Sequence, residues 1–160
     1  MALPVRPSHH QGFHVDPIPL SANHLLEVTT RIKTLNKPGA IDIASDAFLQ
    51  WWLPTLGAGT TVMAHRFVAL LAARPDETVR FTMDELCATF GLRHSVRAAQ
   101  RHLERLAGIG LAGYDLADIT VTATVVHVAI DWQAPPLEPR QHKRLPAYLR
   151  TQYLQERSDQ

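Results

Sequence analysis

The chain has 160 residues, 46% of them hydrophobic and 19% charged, which fits one globular domain with flexible ends and leaves little room for a multidomain enzyme. Its net charge is +1, so bulk charge neither indicates nor excludes a nucleic-acid partner. The most apolar helical stretch, TVMAHRFVALLAA, is broken by His65 and Arg66 and falls short of the roughly 18 uncharged residues needed to cross a bilayer. Pro4, Arg6 and Pro7 interrupt any secretory signal core, so no membrane partner and a cytoplasmic location are expected. The single cysteine, Cys87, allows neither an internal disulfide nor a zinc thiolate cluster.

In chain order, residues 1–20 carry four prolines and no apolar period and read as a disordered arm. Residues 21–44 read as a weak helix and linker: Leu25, Val28, Ile32 and Leu35 recur at helical spacing, although Val28, Thr29 and Thr30 are β-branched and oppose a helix. The turn NKPG then closes it. A compact domain is expected over 45–137. Ser45 or Asp46 caps a short helix carrying Phe48, Trp51 and Trp52, which Pro54 should stop, and both tryptophans belong to the core. Thr60 or Thr61 caps a helix to Ala73 with Met63, Phe67, Leu70 and Leu71 on one face. A short strand, Val79–Phe81, precedes Thr82-Met83-Asp84-Glu85, a capping box that opens a helix to Phe90. Gly91 ends that helix in the left-handed conformation, and Ser95 caps the next, which runs to Ala107. Leu111–Tyr114 reads as a strand, DLAD as a turn and ITVTATVVHVAI as a long strand whose alternation slips between Ala123 and Val125, predicting a bulge or a second turn there. Residues 138–160 form a basic and aromatic helical tail.

Charge placement carries more than charge total. Over residues 93–110, Arg93, Arg97, Arg101 and Arg105 stand against Glu104 alone, whereas residues 111–137 hold only the acids Asp115, Asp118 and Asp131. Laid out at about 100° per residue, the helix from Ser95 gathers Val96, Ala99, Leu103 and Leu106 on one side and Arg97, Arg101 and Arg105 on the other. Three like charges at successive i, i+4 positions add no stability to a helix. Phosphates or guanine edges would compensate them, through counterion release or bidentate contact with O6 and N7. A merely solvated arginine face is the competing reading. Small residues (Cys87, Ala88, Ala98, Ala99) would let this helix and the one before it approach closely.

The segments TMDELCATFGL and RAAQRHLERLAGIGLA resemble the winged helix-turn-helix superfamily of bacterial DNA-binding proteins over roughly residues 60–130. WWLPTLGAGTTVMAHRFVALLA, RHLERLAGIGLA and APPLEPRQHKRLPAYLR, in that order, are similar to a group of small actinobacterial winged-helix proteins. The resemblance implies a mainly α fold with a small antiparallel β hairpin, flanked by an N-terminal arm and a C-terminal helix. It also implies double-stranded DNA as partner, with helix 95–107 in the major groove. The expected DNA-contacting residues are Arg93, His94, Arg97, Ala98, Arg101 and Arg105, with Arg140, Lys143 and Arg144 as backbone contacts; the acidic hairpin should be repelled by phosphate. Homodimerisation through the N-terminal helix or the C-terminal tail would supply two half-sites.

Other chemistry finds no carrier. His9, His10 and His14 lack a neighbouring carboxylate or cysteine motif, Cys87 lacks a base, and no phosphate-binding glycine loop, nucleophile elbow or paired carboxylates occur. No catalysis, cofactor or metal is therefore expected. The expected function is a sequence-specific DNA-binding transcriptional regulator. The alternatives are a protein-interaction module that never touches DNA, motivated by the acidic hairpin, and a replication or mobile-element accessory protein.

Overall fold

A computed structural model describes residues 20–31, 38–73, 78–119 and 124–158. The proposed arm, 1–20, lies outside the described residues except for Leu20, and so do the expected histidine-bearing segment and Ile32 to Lys37.

The largest departure from the sequence reading is near the N-terminus. Residues His24–Arg31 form a strand, β1, not a helix. Its β-branched run overrides the apparent helical spacing, because alternate residues Leu26 and Val28 are fully buried against the helices. β1 lies inside a four-stranded sheet of order β3-β1-β5-β4, with β3 at Val79–Thr82, β4 at Ala112–Ile119 and β5 at Thr124–Asp131. It pairs parallel with β5 (Val28 opposite Val128) and antiparallel with β3 (Val28 opposite Val79). The protein is therefore an α/β fold with a mixed sheet. The expectation of a mainly α winged helix-turn-helix with a small hairpin is overturned: the antiparallel β4–β5 pair is only one edge of a four-stranded mixed sheet, which β1 from the N-terminal segment enters between β3 and β5. A second sheet pairs β2, Ile41–Asp42, with β6, Gln133–Ala134.

The helices follow their caps. In α1, Asp46–Leu56, the Ser45 hydroxyl accepts from the Phe48 amide at 3.3 Å. Pro54 does not stop it; the turn runs on to Leu56, and the Gly57 amide closes it on the Leu53 carbonyl at 2.9 Å. α2, Ala58–Ala72, starts three or four residues earlier than a Thr60 or Thr61 cap predicts, from an N-cap Gly57 with φ 81° and no side-chain cap. Thr60 and Thr61 are buried inside its first turn instead. In α3, Met83–Thr89, Thr82 and Glu85 close the capping box reciprocally at 3.2 and 2.8 Å. Gly91 follows with φ 65°, and the Leu92 amide bonds the Cys87 carbonyl at 2.8 Å, a C-terminal closure that a Cβ would strain. α4, Val96–Gly108, is capped by Ser95 on the Ala98 amide at 3.2 Å.

DLAD is not a turn: these residues continue β4, and a register shift with β5 falls between Leu116 and Asp118, opposite Val126 and Val125; the expected slip beginning at Ala123 falls partly outside the described residues. The C-terminal segment is not a detached tail. Its short α5, Pro139–His142, and α6, Ala147–Ser158, close over α1. Leu137, Leu145, Leu149 and Tyr153 join the same core as Trp51, Trp52 and Phe67. Tyr153 meets Trp51 edge to face at 5.3 Å, and its hydroxyl accepts from the Leu137 amide at 2.8 Å.

Candidate nucleic-acid interface

α4 is divided as its sequence implies. Ala99, Leu103, Leu106 and Ala107 are buried against α2, α3 and the sheet. Arg97, Arg101 and Arg105 are exposed on the outside. Inner-face burial of this kind fixes the helix rotation, so the arginine ridge faces outward as a consequence of packing rather than of charge. Among the described residues none of the three guanidinium groups forms an ion pair. Glu104, the nearest acid in sequence, is held by Gln100 at 2.8 Å instead. Arg105 is steered sideways: its Nη1 donates to the Leu56 carbonyl at 3.3 Å.

The other expected contacts fare unequally. Arg93 and His94 are exposed in the α3–α4 turn, both with left-handed backbone, φ 47° and 58°. His94 Nδ1 lies 3.5 Å from the Asp84 carboxylate, which places a negative charge beside any phosphate contact it would make. Ala98 is half-buried. Arg140 is already paired with Glu138 at 2.9 Å. Lys143 and Arg144 are exposed, and Arg144 shares a cleft with Arg105, Gln141 and Gly57. The chain enters the described region beside this face, since the Leu20 amide donates to Gln100 Oε1 at 3.2 Å. Asp115 and Asp118 lie in β4, at the sheet edge.

His102 belongs to the interior side of the ridge. Its Nδ1 and the Thr60 hydroxyl are 2.9 Å apart, and its ring fills the space beside Gly59, where a Cβ would come within 2.5 Å of Cε1. Burial, and then the charges of Arg105 and Arg101, push its pKa below the ordinary imidazole range. The neutral ring is thus the folded form, and His102 adds no cation to the ridge at neutral pH. Because the folded pKa lies below the unfolded value of about 6.5, the unfolded chain takes up the proton first. The stabilisation is present above pH 6.5 and drains away as the pH falls below it. The melting temperature of the wild type should therefore drop more steeply between pH 7 and 5 than that of His102→Gln; parallel curves would refute this.

Two groupings have no signature in the linear sequence. On the sheet, Glu27 is buried and accepts from Arg80 Nε at 2.6 Å and pairs with His127 Nδ1 at 3.2 Å. At the α1–α2 corner, Trp52, Gly57, Arg105, Gln141 and Arg144 line one cleft. Cys87 is buried; burial, with a contribution from Asp84, raises its thiol pKa, which suits packing and not nucleophilic attack. Among the described residues no group of three or more His, Cys, Asp or Glu could hold a metal ion, and no helix is long and apolar enough to cross a membrane.

No protein-family model matches the chain, and no curated protein matches it. Among solved structures, the chain is similar to residues 1–300 of primosome protein DnaB from Geobacillus stearothermophilus, with a TM-score of 0.56 and 16% identity over 88% of this chain and 52% of that one. The chain thus spans about half the length of that structure, and the likeness is one of fold.

Proposed function

We propose that the protein binds double-stranded DNA through the outer face of α4, as a sequence-reading regulator. The observation that carries this reading is the ridge of Arg97, Arg101 and Arg105, exposed along one helix and unpaired with any described carboxylate. A helix about 20 Å long, at 1.5 Å rise per residue, fits the major groove, where guanidinium forks grip guanine or phosphate. Arg97 and Arg101 carry the contact; Arg93 joins them from the turn. The acids of β4 and the Glu138-paired Arg140 take no part. Two copies meeting on the solvent side of α6, where Tyr148 and Leu154 are exposed, would present two such helices to paired half-sites.

Fluorescence anisotropy with labelled duplex DNA tests this. Affinity should fall steeply from about 50 to 200 mM salt, and Arg101→Ala should cost about 1–3 kcal/mol and lower the salt slope by about one contact. Unchanged binding after Arg97, Arg101 and Arg105 are all replaced by Ala would remove α4 as the contact surface, and no salt-sensitive duplex binding by the wild type would instead favour a protein-interaction module.

The likeness to a primosome protein favours a second reading, a replication or mobile-element accessory protein using the same face. Genome-wide mapping separates the two: occupancy concentrated at a replication origin or element terminus supports the accessory role, and occupancy upstream of transcription units supports the regulator.

A further inference from the structure

We propose a phosphate-binding cleft at the corner between α1 and α2, clamped by Arg105 of α4 and Arg144, which follows α5. The cleft encloses about 490 Å³, within the size range of small-ligand sites. Trp52, Leu56, Gly57 and Gln141 complete its principal lining, and no acidic side chain contributes to it. Two arginines 39 residues apart in sequence line this one cleft with no carboxylate among its walls, so their positive charge there is uncompensated by the protein. Neither forms an ion pair among the described residues.

Three further features favour an oxyanion. The Leu56 carbonyl holds Arg105 Nη1 at 3.3 Å, so this guanidinium is oriented before any ligand arrives. Gly57 opens the 15-residue helix α2 with no side-chain cap, leaving the positive end of that helix beside the cleft. Gln141, half-buried, adds an amide. The chemistry recognised is a tetrahedral phosphate, either a backbone phosphate of DNA or the phosphate of a free small molecule.

Inorganic phosphate is the probe. Titrated into the isotope-labelled full chain at low ionic strength, it should shift the Gly57 and Gly59 amide resonances in a saturable way. Arg144→Gln, a change at an exposed side chain, should weaken that binding about tenfold, the loss expected for one charge-assisted contact. Arg66→Gln, at an exposed arginine of α2 outside the cleft, should leave it unchanged. Absence of saturable shifts in the wild type, or equal affinity in Arg144→Gln, overturns the proposal. A short DNA duplex then identifies the source. Displacement of phosphate by the duplex, together with weaker duplex binding in Arg144→Gln, assigns the site to the DNA backbone, whereas simultaneous binding of both assigns it to a free phosphorylated ligand. The phosphate titration needs no DNA, so a failure of the cleft and a failure of the α4 reading are told apart.

Discussion

Val28→Pro should abolish cooperative folding. Val28 sits mid-way along β1 with a strand on each side, opposite Val79 of β3 and Val128 of β5, and its side chain is fully buried. Proline there removes a ladder donor and clashes with pairing on a central strand, for a cost of about 3 kcal/mol or more, to which the mispacked valine site adds. Typical domains have only about 5–15 kcal/mol of stability in all. The loss of β1 would also leave β3 without its partner in the sheet and Leu26 without its packing, so the damage spreads beyond one hydrogen bond. Urea denaturation followed by circular dichroism checks this, with Ala22→Pro, in the turn before β1, as the tolerated control. If residues 24–31 were a peripheral helix, Val28→Pro would fray it and leave the urea midpoint of the core close to that of the wild type, and that result would remove β1 from the centre of the sheet.

What the sequence made legible, and what it hid, divides by the range of the forces involved. The capping box at Thr82–Glu85, the Ser45 and Ser95 caps, the glycine turn at Gly91 and the two faces of α4 all depend on residues within one or two helical turns, and all are visible as local patterns. β1 is decided elsewhere. Its partners, β3 and β5, lie about fifty and a hundred residues further on, and a parallel pairing leaves no hairpin turn beside it to be recognised. Leu25, Val28, Ile32 and Leu35 therefore mimic a helical stripe, while the run Val28-Thr29-Thr30 holds the truer signal. DLAD looks like a turn because Asp is depleted in strands, yet the register shift beside Leu116 lets the chain run through it. The candidate site shows the same division. The arginine ridge is a one-helix pattern and could be read, whereas the pairing of Arg140 with Glu138, the diversion of Arg105 to Leu56 and the meeting of Arg105 with Arg144 depend on how α5 and the α1–α2 corner pack.

Trp52→Ala should cost about 3–5 kcal/mol, the range for deleting a buried large aromatic side chain. Trp52 is the largest fully buried side chain, it packs on Phe48 at 6.4 Å between ring centres, and its surroundings are drawn from the same continuous core as α2, α4 and α6. A cavity there cannot be filled by local collapse without moving the α1–α2 corner that anchors Arg105. Trp52→Phe is the informative partner. It keeps most of the apolar volume and removes the indole N–H that has no acceptor, so the lost packing and the relieved desolvation oppose each other and the net cost should be small, about 1 kcal/mol. Urea denaturation of both variants gives the two costs directly. Similar, large losses in Trp52→Ala and Trp52→Phe would mean that the indole N–H is satisfied in the folded protein. Saturating phosphate supplies a cross-check: because the indole N–H is buried from solvent, phosphate should stabilise the wild type and Trp52→Phe equally, and a larger gain in the wild type would add that N–H to the phosphate contacts.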